Sequence, residues 1–160
     1  MTREIQAAIR AFEDIILGGV PRLLTQNETA FLSFMCSVAA IDALSGYRYA
    51  TDHVDDRFKN FVKDYFPAAY APHADHLYDL RCRILHNFSP AHFTLVHGSP
   101  SDHLQASGIG DPKLSDVQFF NDLASAATKF FDEVRTDSTR QEVMSARLLN
   151  LAKGGAIYYE

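Results

Sequence analysis

Between positions 28 and 45 the chain carries a stretch that reads as a helix with almost no polar face. Phe31, Leu32, Phe34, Met35, Cys36, Val38, Ile41 and Leu44 fall all round the cylinder, and Asp42 is the one charge after the opening turn. A helix that is apolar on every side has to be enclosed by others, so this stretch predicts the buried centre of a bundle. Its most apolar part, Ala30 to Leu44, is too short and too interrupted by Ser33, Ser37 and Asp42 to read as a bilayer span.

The rest of the chain supplies the enclosing helices. Residues 2–17 form an amphipathic helix with Ile5, Ile9, Phe12 and Ile16 inward, ended by Gly18, Gly19 and Pro21. Thr25 with Glu28 has the spacing of a capping box opening the central helix, and Gly46 is the expected stop. Thr51 or Asp52 caps a third helix with Phe58, Phe61, Val62 and Tyr65. Pro72 suits the first turn of a fourth, which ends near Asn87. Residues 92–97 then turn β-branched and aromatic, and 103–105 are placed to return as a short hairpin. Ser115 caps a fifth helix; Ser138 with Gln141 opens a sixth, stopped at Gly154 and Gly155. The apolar tail 156–160 reads as a docking segment, an edge strand or a dimer contact. The expected architecture is a single all-α domain over 1–160. It is a bundle of five or six helices with a small β-hairpin inserted after the fourth.

Composition agrees with one globular domain: 160 residues, 47% apolar and 22% charged, with twelve Phe and seven Tyr in place of Trp. A net charge of −5 excludes a protein that grips nucleic acid through a broadly basic surface, and leaves room for a local cationic pocket. Cys36 and Cys82 have no metal-type spacing and read as reduced, buried thiols. The opening residues have no signal-peptide character, so the chain reads as soluble and cytoplasmic, without membrane attachment. No phosphate-binding loop, dinucleotide glycine pattern or nucleophile elbow is present; Gly108-x-Gly110 is a turn. No cofactor is expected.

The chemistry concentrates on the fourth helix, LYDLRCRILHNF over 77–88. Wound at 100° per residue from Leu77, the residues Leu80, Ile84, Leu85 and Phe88 share one broad stripe, and Arg81 lies inside it at about 40°. A guanidinium stays charged at any ordinary pH, and taking it out of water costs several kcal/mol unless it is paired, about what an unpaired buried charge costs. Asp42 is the matching oddity on the central helix. The two are expected to face each other as a charge-assisted pair. That pair either only sets the register of the bundle or orients Arg81 toward a cleft. His86 lies about 140° around the helix from Arg81. The two converge only if the helix unwinds near Asn87 or a second copy of the chain supplies half of the site. Taken alone, His86 fits a surface residue at a helix C-terminus. Arg83 is within reach of a bound phosphate or belongs to a solvated face, and Asn87 orients His86 or a substrate, or caps the helix.

Arg81-x4-His86, on the last long helix before a loop in an all-helical domain, resembles the R-x4-6-H motif of the HEPN superfamily. The wording FKNFVKDYFP over 58–67 and LYDLRCRILH over 77–86 is also similar to bacterial HEPN-like proteins. The resemblance spans roughly residues 28–135. It implies a helical bundle that forms a homodimer through the motif helix. Many such proteins are metal-independent endoribonucleases of toxin–antitoxin or phage-defence systems, which brings in single-stranded RNA and an antitoxin or other protein as partners. By that analogy His86 is a general acid/base at a ribose 2′-hydroxyl or leaving oxygen. Arg81 stabilises charge on the phosphate, with Arg83 and Asn87 contacting substrate. Asp42 resembles the acidic residue that some members carry on an earlier helix. The family's arginine is commonly followed by Asn, Asp or His, where this chain has Cys82.

Two other readings stand beside it. One is a non-enzymatic helical dimerisation or protein-binding domain in which Asp42 and Arg81 are a structural pair. The other draws on the six histidines between positions 73 and 103. His73 and His76, spaced i, i+3 with Asp75 and Asp79 nearby, would begin a site for an imidazole-binding metal ion.

Overall fold

The central helix is where the sequence puts it. In the computed structural model, which describes residues 1–98, 101–106, 108 and 110–151, α3 (Asn27–Arg48) packs against four other long helices. These are α4 (Val54–Tyr65), α5 (Ala74–Asn87), α6 (Asp116–Thr136) and α7 (Ser138–Leu151). Two N-terminal helices, α1 (Arg3–Phe12) and the short α2 (Val20–Leu23), complete the all-α bundle, with α1 against α7 and α2 against α3. The central helix runs past the stretch 30–44 that the sequence marks as too short for a bilayer: at 22 residues, α3 is, among the described residues, long and apolar enough to cross a membrane by length and composition alone. Of its most apolar window, 56% is buried inside the bundle.

The core is aromatic. Phe34, Phe58, Phe61, Phe119, Phe130 and Phe131 are buried, and their rings meet edge-on or stacked, as in Phe61 with Phe130 at 6.0 Å and Phe12 with Phe131 at 5.4 Å. Two of the serines inside α3 satisfy themselves locally: Ser33 Oγ donates to the Ala30 carbonyl at 2.6 Å and Ser45 Oγ to that of Asp42 at 2.8 Å. Cys36 and Cys82 are free thiols, half-buried rather than fully enclosed.

Several boundaries differ from the sequence expectation, each for a local reason. The first helix closes in a wider π-helical turn, Glu13–Leu17. There a Cβ on Gly19 would sit 2.2 Å from the Ile15 carbonyl oxygen, so the second glycine is needed for the chain to fold back at that point. Thr25 does not cap α3. Its hydroxyl donates to the Arg22 carbonyl at 2.9 Å, and Gln26 stands at the cap position without a side-chain bond. Gly46 does not end α3 either; it is buried within the last turns, with Arg147 of α7 passing over it. His53, not Thr51 or Asp52, stands at the cap position of α4, and Thr51 Oγ1 accepts from the His53 N–H at 3.2 Å. Pro72 lies in a 3-10 turn, Ala68–His73, that leads into α5. Ser115 caps α6 as expected, accepting from the Gln118 N–H at 3.0 Å. Asp137 takes the role expected of Ser138, accepting from Thr139 N–H at 2.8 Å, while the Gln141 amide donates to the Val134 carbonyl.

The small β insert after α5 is present, but its strands are not a hairpin. β1 (Thr94–Val96) runs parallel to β2 (Lys113–Ser115), with Leu95 opposite Leu114. Parallel pairing needs a crossover of a dozen or more residues, which 97–112 supply. Part of the expected return arm sits on the outer edge of β2 instead: the Leu104 N–H donates to the Lys113 carbonyl at 2.7 Å, and Lys113 N–H to that of Gln105 at 2.9 Å. The stop at Gly154 and Gly155 and the docking tail 156–160 lie outside the described residues.

Candidate functional site

Asp42 and Arg81 meet. Arg81 Nη2 donates to Asp42 Oδ2 at 2.6 Å across the α3–α5 contact, with about a fifth of each side chain still open to solvent (21% and 22%). Burial alone would weaken the Arg81 charge. The Asp42 bond and field outweigh that, with a smaller push from Cys82, and hold the guanidinium protonated even more firmly than usual.

A second cation, which the sequence reading passed over, shares the carboxylate. Arg57 of α4 is 6% exposed and brings Nη2 to 3.5 Å from Asp42 Oδ1. Asp42 therefore ties three helices. Charge remains in excess: Nε of both Arg57 and Arg81 is buried and has no hydrogen-bond partner among the described residues. Asp42 and Arg57 also line a cavity of about 260 Å³ beside Tyr47 and Arg147. The signal for Arg57 was in the sequence. It stands four residues before Phe61 and next to Phe58, inside the apolar stripe of α4, by the same winding that singles out Arg81.

The other candidates do not join this cluster within one chain. His86, Arg83 and Asn87 are exposed, and no hydrogen bond or ion pair among the described residues links His86 to Arg81 or Asp42. α5 stays helical through Asn87, so local unwinding does not bring His86 around. Asn87 is not the cap: Phe88 stands there in the left-handed region, at φ +52°, and its N–H closes on the Arg83 carbonyl.

The histidines are partly gathered. The rings of His76 and His92 lie 4.7 Å apart and those of His73 and His76 6.3 Å, while His92 Nε2 and Asp79 Oδ2 approach to 3.1 Å. The described residues contain no group of three or more His, Cys, Asp or Glu side chains able to hold a metal ion, so the His73/His76 metal reading gains no donor set. Burial, reinforced by His76, pushes His73 below its ordinary value.

A further relay was not anticipated. The Ser115 N–H donates to His103 Nδ1 at 3.0 Å, His103 Nε2 meets the Tyr70 hydroxyl at 2.8 Å, and that hydroxyl donates to Asp122 Oδ2 at 2.7 Å. Burial raises the Tyr70 hydroxyl well above its usual range, with Asp122 adding to the effect. Burial also lowers His103, against the pull of Asp122 and with help from His73. The sequence places His103 at the start of a short return strand, which says nothing of what its ring meets, so only the fold reveals its partners. No family model, curated protein or solved structure matches this chain.

Proposed function

We propose that this protein is a HEPN-like, metal-independent endoribonuclease acting as a homodimer in the cytoplasm on single-stranded RNA. A cognate antitoxin or similar protein would restrain it. One observation carries the reading. A permanent cation, Arg81, is tethered on one side by Asp42 yet a fifth open, on the helix that presents His86 exposed and, among the described residues, without a hydrogen-bond partner. An RNA phosphate needs such a fixed charge where negative charge develops, and its 2′-hydroxyl needs a nearby base. His86 would take the 2′-hydroxyl proton, the oxygen would attack phosphorus to form a 2′,3′-cyclic phosphate as the P–O5′ bond breaks, and the 5′-oxygen would leave with the proton that His86 gives back. Arg81, helped by Arg83, would hold the phosphate oxygens, and Asn87 would orient substrate. The angle of about 140° between Arg81 and His86 favours a site shared by two motif helices, each chain completing the other's half. Phe88, 69% exposed directly after Asn87, supplies apolar surface for that contact.

The test is cleavage of single-stranded RNA by the purified protein in excess chelator. Cleavage should disappear in His86→Ala and in Arg81→Ala, with the His86 variant melting as the parent does. Retention of cleavage in both variants rules the assignment out.

The second reading is a non-enzymatic dimerisation or protein-binding domain, favoured by the sharing of Asp42 between Arg81 and Arg57. It expects no cleavage and a stability loss at Asp42 as the only consequence of disturbing the cluster.

A further inference from the structure

We propose that the cleft between the first turns of α3 and strand β1 binds a nucleobase, with His97 and Asn27 reading the edge of the ring.

Asp116, the first residue of α6, has a fully buried side chain on which three N–H groups converge. Oδ1 accepts from the Val117 N–H at 2.7 Å and the Gly98 N–H at 2.9 Å, and Oδ2 lies 2.7 Å from His97 Nδ1. A carboxylate only accepts, so the hydrogen of the neutral imidazole sits on Nδ1 and the lone pair on Nε2. Nε2 has no partner among the described residues, and the ring, 30% exposed, lines the cleft. In its neutral form, a histidine anchored in this way holds an acceptor beside an apolar wall.

The wall comes from Phe31 and Phe34 of α3 and from Leu95 and Val96 of β1. Asn27 is exposed at the mouth, and its amide, a donor and an acceptor, makes no hydrogen bond within the described residues. Among the described residues, no Asp, Glu, Lys or Arg side chain lines the cleft. Its volume is about 280 Å³. Pockets for drug-sized ligands run from ~300 to 1,000 Å³, so this one suits a single ring system. The ligand these features select is flat, uncharged and aromatic, with N–H donors and acceptors along one edge. That is the chemistry of a nucleobase, which proteins hold by aromatic contact and edge hydrogen bonds.

The cleft is also next to the motif helix. The Phe31 ring lies 6.2 Å from that of Phe88, which follows His86 and Asn87 in the chain. The inference thus rests on the RNA reading for its biological ligand, and names the part of the RNA that would lie beside the motif.

Nucleosides without phosphate separate the two. In a titration of the ¹⁵N-labelled full chain, adenosine and uridine should give saturable shifts at the amides of Asn27, Phe31, Leu95, Val96 and His97. Benzyl alcohol, an aromatic alcohol with no base edge, should not saturate these shifts at the same concentrations. Asn27→Ala, at an exposed position that caps nothing, should weaken nucleoside binding about tenfold while leaving the melt unchanged, as loss of one or two edge hydrogen bonds does. His97→Gln should weaken it as well, and Arg81→Ala should not. The proposal is overturned by the absence of saturable shifts, by equal binding of benzyl alcohol, or by unchanged affinity in both Asn27→Ala and His97→Gln. Nucleoside binding without RNA cleavage would sink the ribonuclease and leave the cleft standing. Cleavage without nucleoside binding would do the reverse.

Discussion

At the scale of single residues, Asp42 and its two arginines behave differently on deletion because they are shared unequally. Removing Arg81 leaves Asp42 with Arg57 at 3.5 Å. Arg81→Ala should therefore cost only about 1.5 kcal/mol, the low end for a hydrogen bond to a charged group. Removing Asp42 leaves two cations, one of them 6% exposed, with no other carboxylate partner among the described residues. Asp42→Ala should cost ~3 kcal/mol or more, as for a buried ion pair broken from one side. Urea denaturation of the two variants checks the order; equal losses would mean that Arg57 does not share the charge. Asp42 and Arg81 were legible because each is a lone charge in an apolar stripe. Asp116 was not: its position, just after the Ser115 cap, marks an ordinary first-turn acid. Only the fold shows it buried under His97.

At the scale of elements, helix ends depended on neighbours that a sequence window does not include. Gly46 reads as a stop, yet α3 continues because α7 lies across it and Arg147 fills the space a side chain would take. An added Cβ would meet Arg147 Nε at 3.4 Å, the movable end of a long side chain. Gly46→Ala should then raise stability by up to ~1 kcal/mol through helix propensity. A destabilised variant in thermal melts would show Arg147 to be held rigidly. The end of α5 carries the opposite mismatch: Phe88 is left-handed at φ +52° and mostly exposed. Phe88→Gly should relieve ~1 kcal/mol of backbone strain, less what the Phe31 contact returns. A stability gain below 1 kcal/mol in denaturant melts is the expected result, and a net loss would assign the ring a larger packing role. The β insert was recognisable from its residues, but not its pairing, since alternation does not distinguish a strand that turns back from one that crosses over.

At the scale of the whole molecule, the fold ties itself to neutral histidines. His73 and His103 both sit below their ordinary value of 6.5, chiefly through burial. The unfolded chain takes up protons near pH 6.5 where the folded one resists, so stability is full above that pH and falls as the pH drops below it. Protonation of His103 would also place a hydrogen at Nδ1 against the Ser115 N–H that it now accepts. The melting temperature should decline from pH 7.5 to 5.5, and His103→Gln should be less stable at pH 7.5 but show a shallower decline. A decline of unchanged slope in that variant would place the acid sensitivity elsewhere.

The sequence by itself determined the helical class, the enclosed central helix and the pairing of Asp42 with Arg81. Helical periodicity and the penalty for an unpaired charge act over a few residues, where the chain can be read directly. The tertiary structure alone decided which further group answers those charges and which other polar atoms meet across the bundle. Arg57 on Asp42, Asp116 under His97 and Tyr70 between His103 and Asp122 are contacts between distant segments. Burial fixes them, and burial follows from how the helices close around α3.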